Sequence, residues 1–246
     1  LVLQSALTHP EMVESLGHNV PRVFMLVFGG GCALAGLAGV IGGNAFVTEP
    51  GMAEPDQTRA QQKDRIARCA VTYLPPTGGS VIFDAGTTTG RMIPELPTEN
   101  DFTAVTNSVP IGARLASMNS ISLILLGGRV RGVTQAAVGE DALRLLSTLR
   151  VDVAFVGTNA ISVGHGLSTP DSEEAAVKRA MVKAANHVVV VADSSKVGRE
   201  HLISFAPLDS IDVLITDEEI SPTDTSEFHD HGIEVTAPTH TPREWK

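Results

Sequence analysis

The sequence predicts an α/β protein with a mostly parallel sheet that is covered by helices on both faces. Seven apolar runs of strand length occur along the chain, and stretches with helical periodicity separate most of them. Strands that are apolar throughout are typical of a parallel sheet buried on both sides. The predicted strands are residues 81–83, 102–105, 121–126, 151–156, 188–191, 211–215 and 233–235.

The first predicted helix covers residues 58–74. Ile66, Cys69, Ala70 and Tyr73 follow the spacing i, i+3, i+4 and i+7, which predicts one buried stripe. The charged residues expected to face outward are Lys63, Asp64 and Arg68. Further helices are predicted at residues 90–96, 109–118, 140–149, 172–186 and 218–229.

The composition is globular and acidic, with a formal net charge of −10 and a pI of about 5.2. Because binding to nucleic-acid phosphates needs clustered Lys and Arg, this charge argues against a nucleic-acid interface on the chain. Cys32 and Cys69 are far apart and outside C-x-x-C spacing, so we expect a reducing, cytoplasmic compartment without structural zinc. His229 and His231 lack a nearby third ligand and are interpreted as exposed surface residues.

Residues 23–47 carry no charge and are long enough to span a bilayer or to form the apolar part of a signal peptide. Seven glycines in this stretch weaken a helix, and Asn44 interrupts its end. We therefore favour a Gly-rich arm laid over a soluble core, and we expect no membrane association.

Polar residues follow six of the predicted strands, at the end where an open parallel sheet binds its ligands. Each segment alone is compatible with ordinary turn chemistry, but the six together favour a small polar ligand. The segments are Asp84-Ala85-Gly86-Thr87, Thr106-Asn107-Ser108, Gly127-Gly128-Arg129, Gly157-Thr158-Asn159, Ala192-Asp193-Ser194-Ser195-Lys196 and Thr216-Asp217.

The stretch from Ser80 to Thr89 is the most informative of these. A short apolar run leads into Asp84, Gly86 and three threonines, and a predicted helix follows. The unpaired N–H groups of such a turn and the helix dipole favour an anion. The threonine hydroxyls add donors, and Asp84 can hold a sugar hydroxyl beside a phosphate. The alternative is a strand that ends in a capped turn without a ligand.

Several charged residues have two interpretations. Asp171 and Glu174 resemble a capping box at the start of a helix. Glu174 and Lys178 are four residues apart, so they either form an exposed pair or point into the crevice, and the periodicity does not decide between these. Lys196 either binds a phosphate or sugar hydroxyls, or lies in a solvated loop. Arg129 and Arg131 flank the Gly127-Gly128 turn, and either could bind a phosphate or lie on the surface.

A series of motifs runs along the chain: Asp84-Ala-Gly-Thr-Thr-Thr89, Val105-Thr-Asn107, Leu126-Gly-Gly128, Asp152-Val-Ala-Phe-Val-Gly157, Gly166-Leu-Ser-Thr-Pro-Asp171 with Glu174-Ala-Ala-Val-Lys178, and Ala192-Asp-Ser-Ser-Lys196. In this order and at these spacings the series resembles the effector-sensing domain of DeoR-type transcriptional regulators, which are bacterial repressors of sugar metabolism. The resemblance covers about residues 49–238.

The resemblance implies a fold related to ribose-5-phosphate isomerase and the CoA-transferases. It also implies a phosphorylated sugar or polyol as effector, no cofactor, and a homo-oligomer. The phosphate end would be held by Asp84, Gly86, Thr87, Thr88 and Thr89, with Thr106 and Asn107 as the neighbouring wall. Gly128 and Arg131 would line the mouth, with Glu174, Lys178, Asp193 and Lys196 on the sugar side.

The resemblance also predicts the domain organisation. Residues 1–48 form an irregular Gly-rich leader or a remnant of a DNA-binding junction, residues 49–238 the phosphosugar-sensing domain, and residues 239–246 a tail. Family members carry a winged helix-turn-helix before the sensor, and it leads into a His-Gly-Gly turn. Here residues 27–31 resemble that turn without the His, and Arg22 is the one basic residue among the first 28. We therefore expect a regulator that binds DNA only through a winged helix-turn-helix that is missing or replaced in this chain.

Two enzymes are alternatives to the regulator. A sugar-phosphate isomerase would need a carboxylate base and a cation, which Glu174 with Lys178 or Lys196 could supply. An actin-like ATPase or sugar kinase would use residues 84–89 as a phosphate loop, but that loop lies in a β-hairpin, whereas a helix is predicted here. We favour the regulator, without a catalytic residue.

Overall fold

The computed structural model describes residues 59–97 and 101–238, and its centre is a seven-stranded sheet. Its strands are β1 (Ser80–Phe83), β2 (Phe102–Thr106), β3 (Ile121–Leu125), β6 (Val151–Gly157), β9 (Ala185–Val191), β11 (Val213–Ile215) and β12 (Glu234–Thr236). They lie in the order β12-β11-β9-β6-β1-β2-β3, and every neighbouring pair is parallel. All seven predicted strands are confirmed.

Helices cover both faces of this sheet, as predicted. Val81 and Phe83 pack on one face and Ile82 on the other, because successive side chains of a strand point in opposite directions. The rings of Phe83 and Phe155 stack at 5.7 Å on the first face. The helices are α1 (Ala60–Ala70), α2 (Thr87–Met92), α3 (Val109–Leu115), α4 (Glu140–Leu146), α5 (Ser172–Ala184) and α6 (Pro222–Asp230).

Five short strands were not predicted. Strands β4 (Arg129–Val130) and β5 (Ala137–Val138) form a hairpin, and β7 (Ala160–Ser162), β8 (Gly166–Thr169) and β10 (Ile203–Ala206) form a separate antiparallel sheet. These strands have two to four residues. Such runs are too short to show a period in the sequence.

Several predictions about helices need correction, among them the start of α6 at Pro222, four residues after the predicted one. Helix α2 begins at Thr87, three residues before the predicted start, so the threonine run is its first turn. Lys63 was predicted to face outward, but it is buried. It lies three residues before Ile66 and four before Ala67, both of which are buried, so it belongs to the same stripe of α1.

No helix among the described residues is long and apolar enough to cross a membrane. The predicted leader at residues 1–48, the uncharged stretch 23–47 within it, the boundary at residue 49 and the tail at 239–246 lie outside the described residues. The predicted division into domains therefore remains a prediction.

Candidate functional site

The polar segments predicted from the sequence lie together at the carboxyl edge of the sheet. In space they follow the strand order, from Asp217 after β11 through Asp193, Gly157 and Asp84 to Asn107 after β2. Parallel strands have their carboxyl ends at one edge, and neighbouring strands are about 4.8 Å apart. The topology therefore forms one polar rim from residues that are distant in sequence.

A buried ion pair lies at the centre of this rim. The side chains of Asp84 and Lys178 are 1% and 6% exposed, and Lys178 Nζ donates to Asp84 Oδ2. Gly157 N donates to the same oxygen at 2.9 Å, and Gly157 O accepts from Lys178 Nζ at 3.0 Å. The other carboxylate oxygen, Asp84 Oδ1, is buried and has no hydrogen-bond partner among the described residues.

Burial raises the pKa of Asp84 above its ordinary value, and the positive charge of Lys178 only partly opposes this shift. The nearby carboxylate of Glu174 raises it further. A buried acceptor without a donor is costly, so Asp84 Oδ1 is a ready partner for an O–H or N–H group.

Glu174 and Lys178 do not form the exposed pair that was one interpretation of their spacing, because both are buried and Lys178 turns to Asp84. The carboxylate of Glu174 instead accepts hydrogen bonds from Arg131 and Thr134. Arg131 also contacts Asp171 Oδ2 at 3.2 Å. Two carboxylates thus hold Arg131 over the start of α5.

Asp171 caps α5 as predicted. Its Oδ1 accepts from the backbone N–H groups of Glu173 and Glu174, at 3.0 and 2.9 Å. The cap fixes the direction of α5 relative to β8, so Glu174 and Lys178, one turn apart, both face the rim.

Thr89, Thr106 and Asn107 hold the rim loops together. Thr89 Oγ1 donates to the carbonyl oxygens of Asp84 and Gly86, and Thr106 Oγ1 donates to that of Phe83 at 2.6 Å. Asn107 Oδ1 accepts from Ala85 N at 3.0 Å, while its Nδ2 donates to Ala137 O at 3.2 Å. These bonds occupy polar atoms that the sequence prediction gave to a ligand.

Gly86 and Thr87 are the predicted site residues that line an open cavity of about 650 Å³. The cavity extends from the rim along the groove between α2 and α3, where Arg91 and Arg114 also line it. The start of α2 therefore faces accessible space, in contrast to the buried Asp84.

Gly128 shapes the loop after β3. Its φ is +130°, and a β-carbon there would lie 2.5 Å from the carbonyl oxygen of Val138. A glycine is needed for this approach of the β4–β5 hairpin, so Gly128 positions the loop that carries Arg131.

Asp193 and Lys196 form a second group, after β9. Asp193 Oδ1 accepts from Ser195 N at 3.2 Å and lies 3.3 Å from Arg59 Nη1. Burial alone would raise the pKa of Asp193, but bonds from Ser195 and the charges of Lys196 and Arg59 outweigh it, so the pKa is lowered. Strand β6 lies between β9 and β1, so this group is about 10 Å along the rim from Asp84.

Sequence reasoning missed Thr134 and Arg59. Arg59 precedes the first turn of α1 and has a left-handed backbone, with φ 56°. A cation at a helix amino terminus interacts unfavourably with the helix dipole, so Arg59 needs acidic partners from other elements to offset this. That mismatch was the available signal in the sequence. Its partners are Asp193, Ser194 and Glu219. No periodicity marked Thr134.

Residues 58–218 match the family described as the DeoR C terminal sensor domain. The chain belongs to the DeoR family. It is 39% identical over 173 residues to the HTH-type transcriptional regulator GlpR of Haloferax volcanii, covering 70% of this chain and 67% of that protein. It is 34% identical over 161 residues to the HTH-type transcriptional repressor GlcR of Bacillus subtilis, covering 65% and 61%.

The glycerol-3-phosphate regulon repressor of Escherichia coli K12 is 28% identical over 178 residues, covering 72% of this chain and 70% of that protein. Among solved structures, ribose 5 phosphate isomerase A of Neisseria gonorrhoeae aligns with a TM-score of 0.43 and 18% identity, over 57% of this chain and 54% of that one.

The DeoR-type sensor and its regulatory relatives make this chain an effector-sensing transcriptional regulator of carbohydrate metabolism rather than an enzyme. A regulator of this type acts through a small-molecule effector and DNA. The isomerase alternative rests on the fold alone, and Glu174, its candidate base, accepts hydrogen bonds from Arg131 and Thr134.

Proposed function

We propose that the carboxyl-edge rim binds a phosphorylated sugar or polyol and that this binding changes the affinity of the regulator for its operator. The observation that carries the proposal is the buried Asp84–Lys178 pair, beside the Arg131–Glu174 pair; in the part of the chain that the structure describes, Asp84 Oδ1 has no hydrogen-bond partner. The name of the Escherichia coli relative, a glycerol-3-phosphate regulon repressor, supports a phosphorylated polyol as one candidate effector.

The chemistry of the rim supports a division of roles. The phosphate would lie at the start of α2, where Gly86 and Thr87 line open space and the helix dipole favours negative charge. The carboxylate of Asp84 would repel a phosphate, so we assign it to a hydroxyl group of the sugar. We assign Lys178, Glu174 and Arg131 either to the hydroxyl-bearing part of the ligand, as for Asp84, or to the mouth of the binding site.

The remaining predicted residues have different proposed roles. Thr88 would act with Thr87, and Asp193 with Lys196 would contact the far end of a longer ligand. Thr89, Thr106, Asn107 and Gly128 would support the loops. Effector binding would shift the regulator between two states with different operator affinity, in a homo-oligomer located in the cytoplasm.

Isothermal titration calorimetry of the full chain tests the effector class. The probes are glycerol 3-phosphate, ribose 5-phosphate and an amino-sugar phosphate, each paired with its unphosphorylated counterpart. We expect at least one phosphorylated probe to bind and its counterpart to bind at least about tenfold more weakly, because a charge-assisted hydrogen bond contributes about 1.5–3 kcal/mol.

Two neighbouring arginines provide a matched pair of variants. Arg131 is 14% exposed and faces Glu174, whereas Arg129 is 63% exposed and pairs with Glu173. We expect Arg131→Gln to weaken the bound probe about tenfold and Arg129→Gln to leave its affinity nearly unchanged. If folded wild-type chain binds none of the phosphorylated probes, the proposed effector class is wrong.

A further inference from the structure

The two edges of the seven-stranded sheet differ in chemistry. Strand β12 is three residues long, and its Glu234 accepts a hydrogen bond from Tyr73 Oη at 2.8 Å. Strand β3 is five residues long, and residues 115–128 around it contain no Asp, Glu, Lys or Arg. Short, charged edges resist pairing with other chains, and long uncharged ones invite it. The two edges thus have opposite tendencies to associate.

Strand β3 is also poorly covered. None of its five residues is buried, whereas β1 and β2 consist almost entirely of buried residues. Within the described part of the chain, β3 pairs with β2 on one side and its other side has no strand partner. An apolar parallel strand normally has both faces covered. Strand β3 instead combines partly exposed apolar side chains with an edge whose backbone groups have no strand partner among the described residues.

Exposed apolar side chains concentrate at the carboxyl end of β3. Seven large apolar side chains are exposed among the described residues, and four of them belong here. These four are Val109 at 43%, Leu125 at 49%, Val130 at 46% and Val133 at 38%. We call Val109, β3, Val130 and Val133 the β3 patch.

Contacts between the elements place these residues together. A β-carbon at Gly112 would lie 2.9 Å from Leu125 Cδ1, so Leu125 packs against α3. Val109 begins the same helix, and its N–H donates to Gln135 O in the β4–β5 hairpin. Val130 and Val133 belong to that hairpin and its turn. One corner of the molecule therefore carries the whole patch.

We infer that the β3 patch is the contact surface for a second copy of this chain. A protein of net charge −10 repels its own copies, and this repulsion is weakest along β3, because residues 115–128 contain no Asp, Glu, Lys or Arg. The exposed Arg129 beside Val130 pairs with Glu173. Two β3 strands related by a two-fold axis would pair antiparallel and satisfy each other's free backbone groups. The apolar side chains around them fit the composition of homodimer interfaces.

Analytical ultracentrifugation of the full chain and of matched variants tests this inference without any effector. Leu125→Lys and Val130→Lys place a charge in the patch, whereas Leu202→Lys places one at a leucine that is 84% exposed outside it. We expect wild type and the Leu202 variant to sediment as dimers or larger assemblies. Both patch variants should raise the dissociation constant about tenfold or more, with an unchanged circular dichroism spectrum.

Hydrogen exchange distinguishes a second copy from coverage by another segment of the same chain. If copies pair through β3, amide exchange in residues 121–125 slows as protein concentration rises. Monomeric wild type, patch variants that assemble like wild type, or β3 protection that is independent of concentration would each overturn the inference. Because no sugar phosphate is added, the result does not depend on the proposed effector.

Discussion

At the scale of single residues, the Asp84–Lys178 pair makes a sharp prediction. Lys178→Met leaves the Asp84 carboxylate buried without its counter-charge, which should reduce the free energy of unfolding by about 3–5 kcal/mol. The double variant with Asp84→Asn should recover much of this loss. Lys183→Met, on an exposed position of the same helix, should change stability by less than about 0.5 kcal/mol. Urea denaturation measures all three.

Two adjacent glycines give a second prediction. Gly128→Ala introduces a side chain at φ +130° and 2.5 Å from a carbonyl oxygen, so it should destabilise the protein by about 1–3 kcal/mol. A β-carbon at Gly127 meets nothing within 4 Å, so Gly127→Ala should be nearly neutral. Equal effects in thermal denaturation would contradict the strain assigned to Gly128.

At the scale of elements, the turn after β9 joins the start of α1 through Asp193 and Arg59. The lowered pKa of Asp193 means that its contribution to stability is complete above its unfolded pKa of about 3.9. That contribution is lost as the pH falls through the lower, folded value. The raised pKa of Asp84 has the opposite effect on stability. Its contribution is complete below the unfolded pKa and is lost as the pH rises through the higher, folded value, because ionisation of Asp84 disfavours the folded state.

Replacing Asp193 should therefore change the response to acid. We expect Asp193→Asn to be less stable than wild type at neutral pH, and the difference should shrink below about pH 4. Urea denaturation between neutral and acidic pH measures it. Asp209→Asn, at an exposed position within a 3-10 turn (Leu208–Ser210), is the control for replacing an aspartate outside the rim. A constant difference across the pH range would contradict the role given to Asp193.

Element boundaries show why sequence reasoning about the rim was incomplete. Helix α2 starts at Thr87 because Thr89 bonds back to the carbonyls of Asp84 and Gly86, which stabilises the first turn. A run of three threonines has low helix propensity, so the sequence favoured a turn. The cap at Asp171 was predictable because an acid three residues before Glu174 is a local signal.

At the scale of the whole molecule, the parallel sheet was predictable because its strands are buried on both faces and therefore apolar throughout. The ion pair between Asp84 and Lys178 inside the site was not predictable. Asp84 and Lys178 are 94 residues apart, and only the packing of α5 on the sheet brings them together. Polar residues after the strands indicated where the site lies, but not that Thr106 and Asn107 bond to neighbouring loops.

The hydrogen bonds of Asn107 to Ala85 and Ala137 have a practical consequence for genetics. Two loops that come from different parts of the chain lose their common anchor when this one amide is replaced. A screen for mutants that no longer respond to the effector would therefore return Asn107 together with the residues that contact the effector itself. The phenotype alone would not distinguish residues that support the rim loops from residues that contact the ligand. Binding measurements on each mutant would distinguish them.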